Sequence, residues 1–526
     1  MIIVHPSGER FDTGNVDLSI ARKNPFFNKY GEQSLPVTLP PSDTNFRLLG
    51  DPHAAAGVSK MNGSMNCIIR HGIFSTPGVQ TILSANRLSG IQVSYLFNNG
   101  VFFSRIKDVQ LSTVFENKRL GFGSVADAIT FCRNCAREYD WRFDCFPVLI
   151  DGHTLNQWNL TYPAETPPRF YNDEERLITV DGNQVIAPAG YLITPFIRVW
   201  HLMREIFGYF GYTLQSSWLE ETSPFREMVL LNPNMDSLLT GSIRYSQLVP
   251  DCMVTTILDL FRVKFGAEFV PNETTKEVRI VLIKEVLSAV PSVDLSDRVY
   301  SNMTIVYPAK YKQIELRSEI ITPPSLQRSV FMSDIHYDVV SSSDSETVND
   351  ILNRYPEAEI NSISGDIVRY GFKGHLLVTQ RLGSIGSPYN AGGVNEVETK
   401  EMTDQIPAII PGHTQEMDGI DNEFYWYAPY IGKGRSLNSK ILKDGESDSG
   451  TIKPDELRPI LCLSYTDADQ LHRGTITNYS QMGVRLWDYH IGYNGQYGLF
   501  ETFWRDYDNL LRNSLHEIKV DLLLSE

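Results

Sequence analysis

Cys132-Arg133-Asn134-Cys135 is a C-x-x-C, and Cys145 follows it. A tetrahedral zinc site needs a second such pair, or histidines at ligand spacing, and neither lies close in sequence. A redox pair sits at the start of a helix, where the thiolate is favoured. Here both thiols fall well inside a predicted helix, with Cys132 on its apolar stripe. Structural thiols are the expectation. The histidines are scattered, with no H-x-x-x-H or H-E-x-x-H, which removes the usual zinc protease and amidase signals. No G-x-x-x-x-G-K-[ST], G-x-S-x-G or G-x-G-x-x-G occurs either. Two acidic arrangements are left. Asp488 near His490 has the residue types of an acid/base pair. Asp421 and Glu423, beside Phe424, Tyr425, Trp426 and Tyr427, are the best candidates for paired-carboxylate glycoside hydrolysis. Such proximities also arise by chance, so we assign no catalytic, cofactor-binding or metal residue and expect no enzyme and no cofactor.

A further cluster lies near the C-terminus. Trp487, Tyr489, Tyr493, Tyr497, Phe500, Phe503, Trp504 and Tyr507 crowd together among glycines. Such rings can stack on sugars or anchor an interface. Core packing is the favoured reading, because large aromatics are mostly interior.

Three helices would position these groups. One is predicted over 124–139, with Ser124 as N-cap. A second is predicted over 195–210, with Thr194 as cap, Pro195 at the first helical position and Gly211 as the stop. The third is predicted over 252–265, capped by Asp251 and stopped by Gly266. A hairpin, Ala267 to Ile283, follows it. Elsewhere strands dominate. The best hairpin signal is Ile91 to Phe97, Asn98-Asn99-Gly100, then Val101 to Ile106. Residues 292–382 read as strands with a polar insert at 341–346 and a short helix at 347–355. Residues 383–411 and 432–456 read as long loops. A short helix and an alternating strand from Glu517 to Leu524 close the sequence. The expected fold is α+β, β-rich and multidomain, divided at 1–185, 186–290 and 291–526.

At 526 residues the chain exceeds a single core. The formal net charge is −16, a poor balance for tight duplex binding, which needs basic patches that displace counterions. Six cysteines are too sparse for a disulfide framework. Residues 1–10 lack the order of a signal peptide, and no apolar run approaches membrane-spanning length.

From Asn24-Pro25-Phe26-Phe27 through Pro36-Val37-Thr38-Leu39-Pro40-Pro41, prolines enforce extended backbone. The expectation is an arm, residues 15–45, that lies across another domain or a neighbouring subunit. This segment resembles an N-terminal motif of tail hub-like proteins from Bacteroidetes phages and prophages. Thr194-Pro195-Phe196-Ile197-Arg198-Val199-Trp200, Phe210-Gly211-Tyr212, Leu230-Leu231-Asn232 and Tyr245-Ser246-Gln247-Leu248-Val249-Pro250 extend the resemblance over roughly residues 15–285, and Phe503-Trp504-Arg505-Asp506-Tyr507 echoes it weakly. The resemblance implies β-barrel modules similar to tail-tube subunits, a homotrimer, and a tail-tip or baseplate hub. Its partners would be tail-tube, distal tail and fibre proteins. The protein would reside in the virion after assembly in the host cytoplasm, and DNA would pass without sequence-specific binding. No catalytic residue comes with these motifs. A carbohydrate- or receptor-binding tail component is the alternative, and a cell-wall or capsule hydrolase comes third.

Overall fold

The computed structural model describes residues 1–21, 32–54, 63–71, 74–150, 153–156, 176–180, 183–187, 192–291, 294–300, 302–306, 311–316, 318–321, 338–339, 354–355, 358–360, 366–373, 376–384, 396–399, 402–411, 427–435, 458–480, 484–493, 497–513 and 517–522. Expectations for Asp421, Glu423 and Phe424 to Trp426, for the insert 341–346, for most of the helix 347–355, and for loop residues 385–395 and 436–456 lie outside them. The fold is mixed α+β and strand-rich, with a curled half-barrel sheet.

Seven strands form the N-terminal sheet. Its spine is Ser64–His71, Phe74–Asn86 and Gly90–Phe97, with Ile2–Val4 on one side. Ile91, Val93, Tyr95 and Phe97 alternate inward and are buried, the period-two pattern of a half-buried strand. They meet Leu39, Phe46 and Leu49 from the preceding segment. The described part of the proline-rich segment docks here, within its own sheet, and not across another domain as expected. Glu32–Ser34 and Val37–Leu39 both pair with Gly90–Phe97. Ser42 then caps the helix Asp43–Leu48, its hydroxyl accepting from the Asn45 amide. Gly90 closes the tight turn with φ of +97°, and a Cβ there would stand 2.2 Å from the Leu39 carbonyl oxygen, so only glycine fits.

The central sheet has ten strands. It runs His153–Leu155, Val148–Ile150, Tyr427–Tyr430, Gln405–Pro411, Ile460–Thr466, Met228–Leu231, Phe196–Arg198 and Phe143–Asp144, with Glu319–Ile321 and His472–Thr475 attached beside it. It therefore takes strands from each of the three expected segments. Met228–Leu231 and Phe196–Arg198 are buried at every position. Strands covered on both faces read as continuous apolar runs. The helices Val199–Tyr209 and Val254–Phe265 contribute to the same core, which also holds Phe503 and Trp504.

Several expected elements take different forms. The first helix is Val125–Cys135, shorter than 124–139, and Ser124 does cap it. The second begins at Val199 and ends at Tyr209. Thr194 and Pro195 are not its cap and first turn, because Phe196–Arg198 is drawn into the ladder with Met228–Leu231 and Phe143–Asp144. The third begins at Val254, and Asp251 does not cap it. The Val254 amide donates to the Val109 carbonyl, and the Asp251 carboxylate pairs with Arg435 at 3.2 Å. Gly266 stops it as expected, with φ of +55°. The hairpin after it is Ala267–Asn272 and Glu277–Leu282. The hairpin over 91–106 is half right. Gly90–Phe97 is a strand, but Asn99–Ile106 is a helix that buries Val101, Phe102 and Ile106 on one face. The 383–411 stretch is not all loop. Glu396–Thr399 and Gln405–Pro411 are strands. Pro407 and Pro411 lie in the second of these strands, where a proline removes a ladder donor. They are tolerated because the neighbours Glu319–Ile321, Ile460–Thr466 and Tyr427–Tyr430 each pair with only part of the strand. The closing strand is Glu517–Lys519, paired with Thr304–Val306.

Candidate functional site

Cys132, Cys135 and Cys145 are buried free thiols. Burial pushes the Cys135 and Cys145 thiols up, and Cys132 adds to both shifts. The thiolate is the metal ligand and the nucleophile, so this setting opposes both roles. Among the described residues no three His, Cys, Asp or Glu side chains are grouped to hold a metal. The expected result is that purified protein carries no stoichiometric zinc, and that Ala at Cys132 and Cys135 leaves the metal content unchanged. Elemental analysis showing one zinc per chain would contradict it.

Asp488 and His490 point to different environments. Asp488 is exposed and pairs with Arg485 at 2.9 Å. His490 is buried, and its Nδ1 accepts from the Gly492 amide at 3.1 Å. Burial lowers His490 to about 4. Burial likewise lowers His201, which lies against Tyr245, to about 4. Both stay neutral in the fold while an unfolded chain takes up protons below the ordinary value of 6.5. Stability therefore falls as pH drops from 6.5 towards 4, by about 1.4 kcal/mol per pH unit for each histidine. Denaturant titrations across this window should show the slope, and Gln at both positions should flatten it.

The aromatic cluster is interior. Phe503, Trp504 and Tyr507 are buried, and Trp487, Tyr489, Tyr493 and Phe500 pack against the same core. Phe503 lies 5.5 Å from Phe225 and 5.4 Å from Phe265, ring centre to ring centre. Trp504 Nε1 donates to the Val263 carbonyl at 3.1 Å. Lys284 Nζ stands 3.4 Å above the Trp218 ring. Phe503 and Trp504 close the core over the helix Val254–Phe265, while Trp487, Tyr489, Tyr493, Tyr497 and Phe500 stay partly buried.

Sequence reasoning missed the buried charges. Lys264 Nζ lies 2.6 Å from Asp404 Oδ2, with both side chains out of solvent. Asp404 Oδ1 accepts the Ser318 hydroxyl at 2.6 Å, and that hydroxyl also meets the Tyr493 hydroxyl. Burial works against the Lys264 ammonium, but the Asp404 carboxylate outweighs it and holds Lys264 above the ordinary lysine value. A second network centres on Asp144. Its Oδ1 meets His472 Nδ1 at 2.7 Å, and its Oδ2 accepts from Arg198 at 2.9 Å. Burial opposes this carboxylate too, but His472 and Arg198 hold it below the ordinary value. These partners are enclosed, and each network ties together elements distant in sequence. One signal was available: Asp144 and Arg198 are lone charges inside apolar runs.

The motif residues form a third polar cluster. Asn156 Oδ1 accepts from the Thr194 amide, and Asn156 Nδ2 donates to the Thr194 and Phe146 carbonyls. The Thr194 hydroxyl donates to Asn232 Oδ1 at 3.1 Å and accepts from Ser237, while Asn232 Nδ2 donates to the Pro195 carbonyl. Their short polar side chains satisfy backbone groups where the Phe196–Arg198 and Met228–Leu231 strands meet. No family model, no curated protein and no solved structure matches this chain.

Proposed function

We propose that the chain is a structural assembly protein, a tail-tip or baseplate hub of a phage that joins the tail tube to the distal tip and lines the DNA exit. The observation that carries this reading is the role of the motif residues. Thr194, Pro195 and Asn232, which carry the resemblance to tail hubs, are interior polar pins, and Arg198 is a buried ion-pair partner. Motifs that build a scaffold fit a structural protein better than a catalyst. The strand-rich fold with its half-barrel sheet is compatible with a tube-derived module. An exposed ribbon supports an assembly role as well. Thr304–Val306 and Glu517–Lys519 pair with each other, and Ile305 and Ile518 are each about half exposed. Apolar surface of this kind suits a chain that is covered on assembly.

The full chain should form trimers in analytical ultracentrifugation. A monomer that persists at the highest soluble concentration would count against the hub and favour a receptor-binding component. The hub reading carries an electrostatic corollary: an inner wall that is acidic or neutral, because each Lys or Arg on phosphate adds a holding term for passing DNA.

A further inference from the structure

A cavity of about 520 Å³ opens where the end of the Met228–Leu231 strand meets Glu319–Ile321, the 431–435 segment and Arg458. Its walls are apolar, with Leu231, Val249, Ile321, Ile431 and Ile460 among them. Its charges are not balanced. Among the described residues, Lys433, Arg435 and Arg458 line it against Glu319, in a chain whose net charge is −16. Arg435 is held in place from behind. Its amide donates to the Pro233 carbonyl at 2.8 Å, and its guanidinium reaches Asp251 at 3.2 Å. Among the described residues Arg458 has no such counterweight. One of its terminal guanidinium nitrogens is buried without a hydrogen-bond partner, and so is Asn234 Oδ1 in the same lining.

Buried polar groups are nearly always satisfied, and a charged donor without a partner is the costliest exception. Water could fill one such vacancy. It would not neutralise the charge of Lys433 and Arg458, since Asp251 already offsets Arg435. A guanidinium prefers a planar oxyanion that takes two parallel bonds. The volume falls within the range of small-molecule sites, which are apolar clefts with a few convergent polar groups. We propose that this cavity is a binding site for a small organic anion: a carboxylate or phosphate head seated on Arg458 and Lys433, with an apolar body against Ile321, Ile431 and Ile460. Asn234 Oδ1 would take a hydroxyl of the ligand. This inference is independent of the hub reading.

The test is isothermal titration of the full chain with phenyl phosphate, 3-phenylpropionate and the neutral 3-phenylpropanol. The expected result is saturable binding of at least one anion, weakened by added salt, with no binding of the alcohol. Arg458→Gln should weaken it about tenfold or more, the value of a charge-assisted hydrogen bond. Lys433→Ala should weaken it several-fold, and Lys433 is exposed, so this variant does not threaten the fold. The proposal is overturned if no anion binds at millimolar concentration, if the alcohol binds as well as the anions, or if binding is unchanged in both variants. A cavity that holds water only would give the first of these results.

Discussion

Lys264→Met destabilises the protein by about 3–5 kcal/mol, the usual cost of leaving one buried charge without its partner. Among the described residues Asp404 would keep the Ser318 hydroxyl but no cation, at 0% exposure, so its carboxylate would have to protonate or draw in water. Asp404→Asn strands the ammonium and costs a similar amount. The double replacement Lys264→Met with Asp404→Leu recovers a large part of the loss, because a buried pair and an apolar pair of similar volume are often close in energy. Denaturant midpoints of the four proteins give the cycle. Two equal, additive single effects would show that the pair does not interact. The pH dependence has a fixed sign. Lys264 is held above its ordinary value, so its own contribution is full below the ordinary lysine value and is lost as pH rises through the folded one.

Phe503→Ala costs about 3–5 kcal/mol, through lost transfer energy and the cavity left among Phe225, Phe265 and Trp218. Phe503→Leu keeps most of the volume and costs under about half as much. The same pair of variants separates core from glycan platform. If the cluster is core, stability follows the volume removed and soluble polysaccharide has no effect on the melting curve of any variant. A platform would give the reverse: a near-neutral Phe503→Ala in stability, with loss of a polysaccharide-induced shift.

Local signals in the sequence were dependable where the chemistry is local. Ser124 caps its helix, Gly266 ends another, and Ala267–Asn272 pairs with Glu277–Leu282 as read. The failures are places where distant chain decides. Asn98-Asn99-Gly100 has the composition of a tight turn, but Val101, Phe102 and Ile106 bury one helical face, with Phe102 against Phe207 and Tyr212. Pro195 is a good first helical residue, yet Ile197 pairs with Leu230 and Phe143, and sheet pairing wins over propensity. Gln405–Pro411 reads as loop because the stretch from Gly383 is Gly-, Asn- and Glu-rich without periodicity. The buried ion pairs were least legible. Lys264 lies next to Phe265 in a sequence that gives no hint of Asp404, since the two meet only once the third helix packs beside the central sheet. Of the expected acidic sites, Asp488 and His490 are separated by burial, and Asp421 and Glu423 lie outside the described residues.

The most direct test of the hub reading is cryo-electron microscopy of the phage tail that carries this chain, or of a tail reconstituted with it, refined without imposed symmetry at the distal end. The reading predicts three copies around the tail axis, enclosing a channel whose wall is acidic or neutral. A single copy, or copies placed off the axis on a fibre, would contradict it.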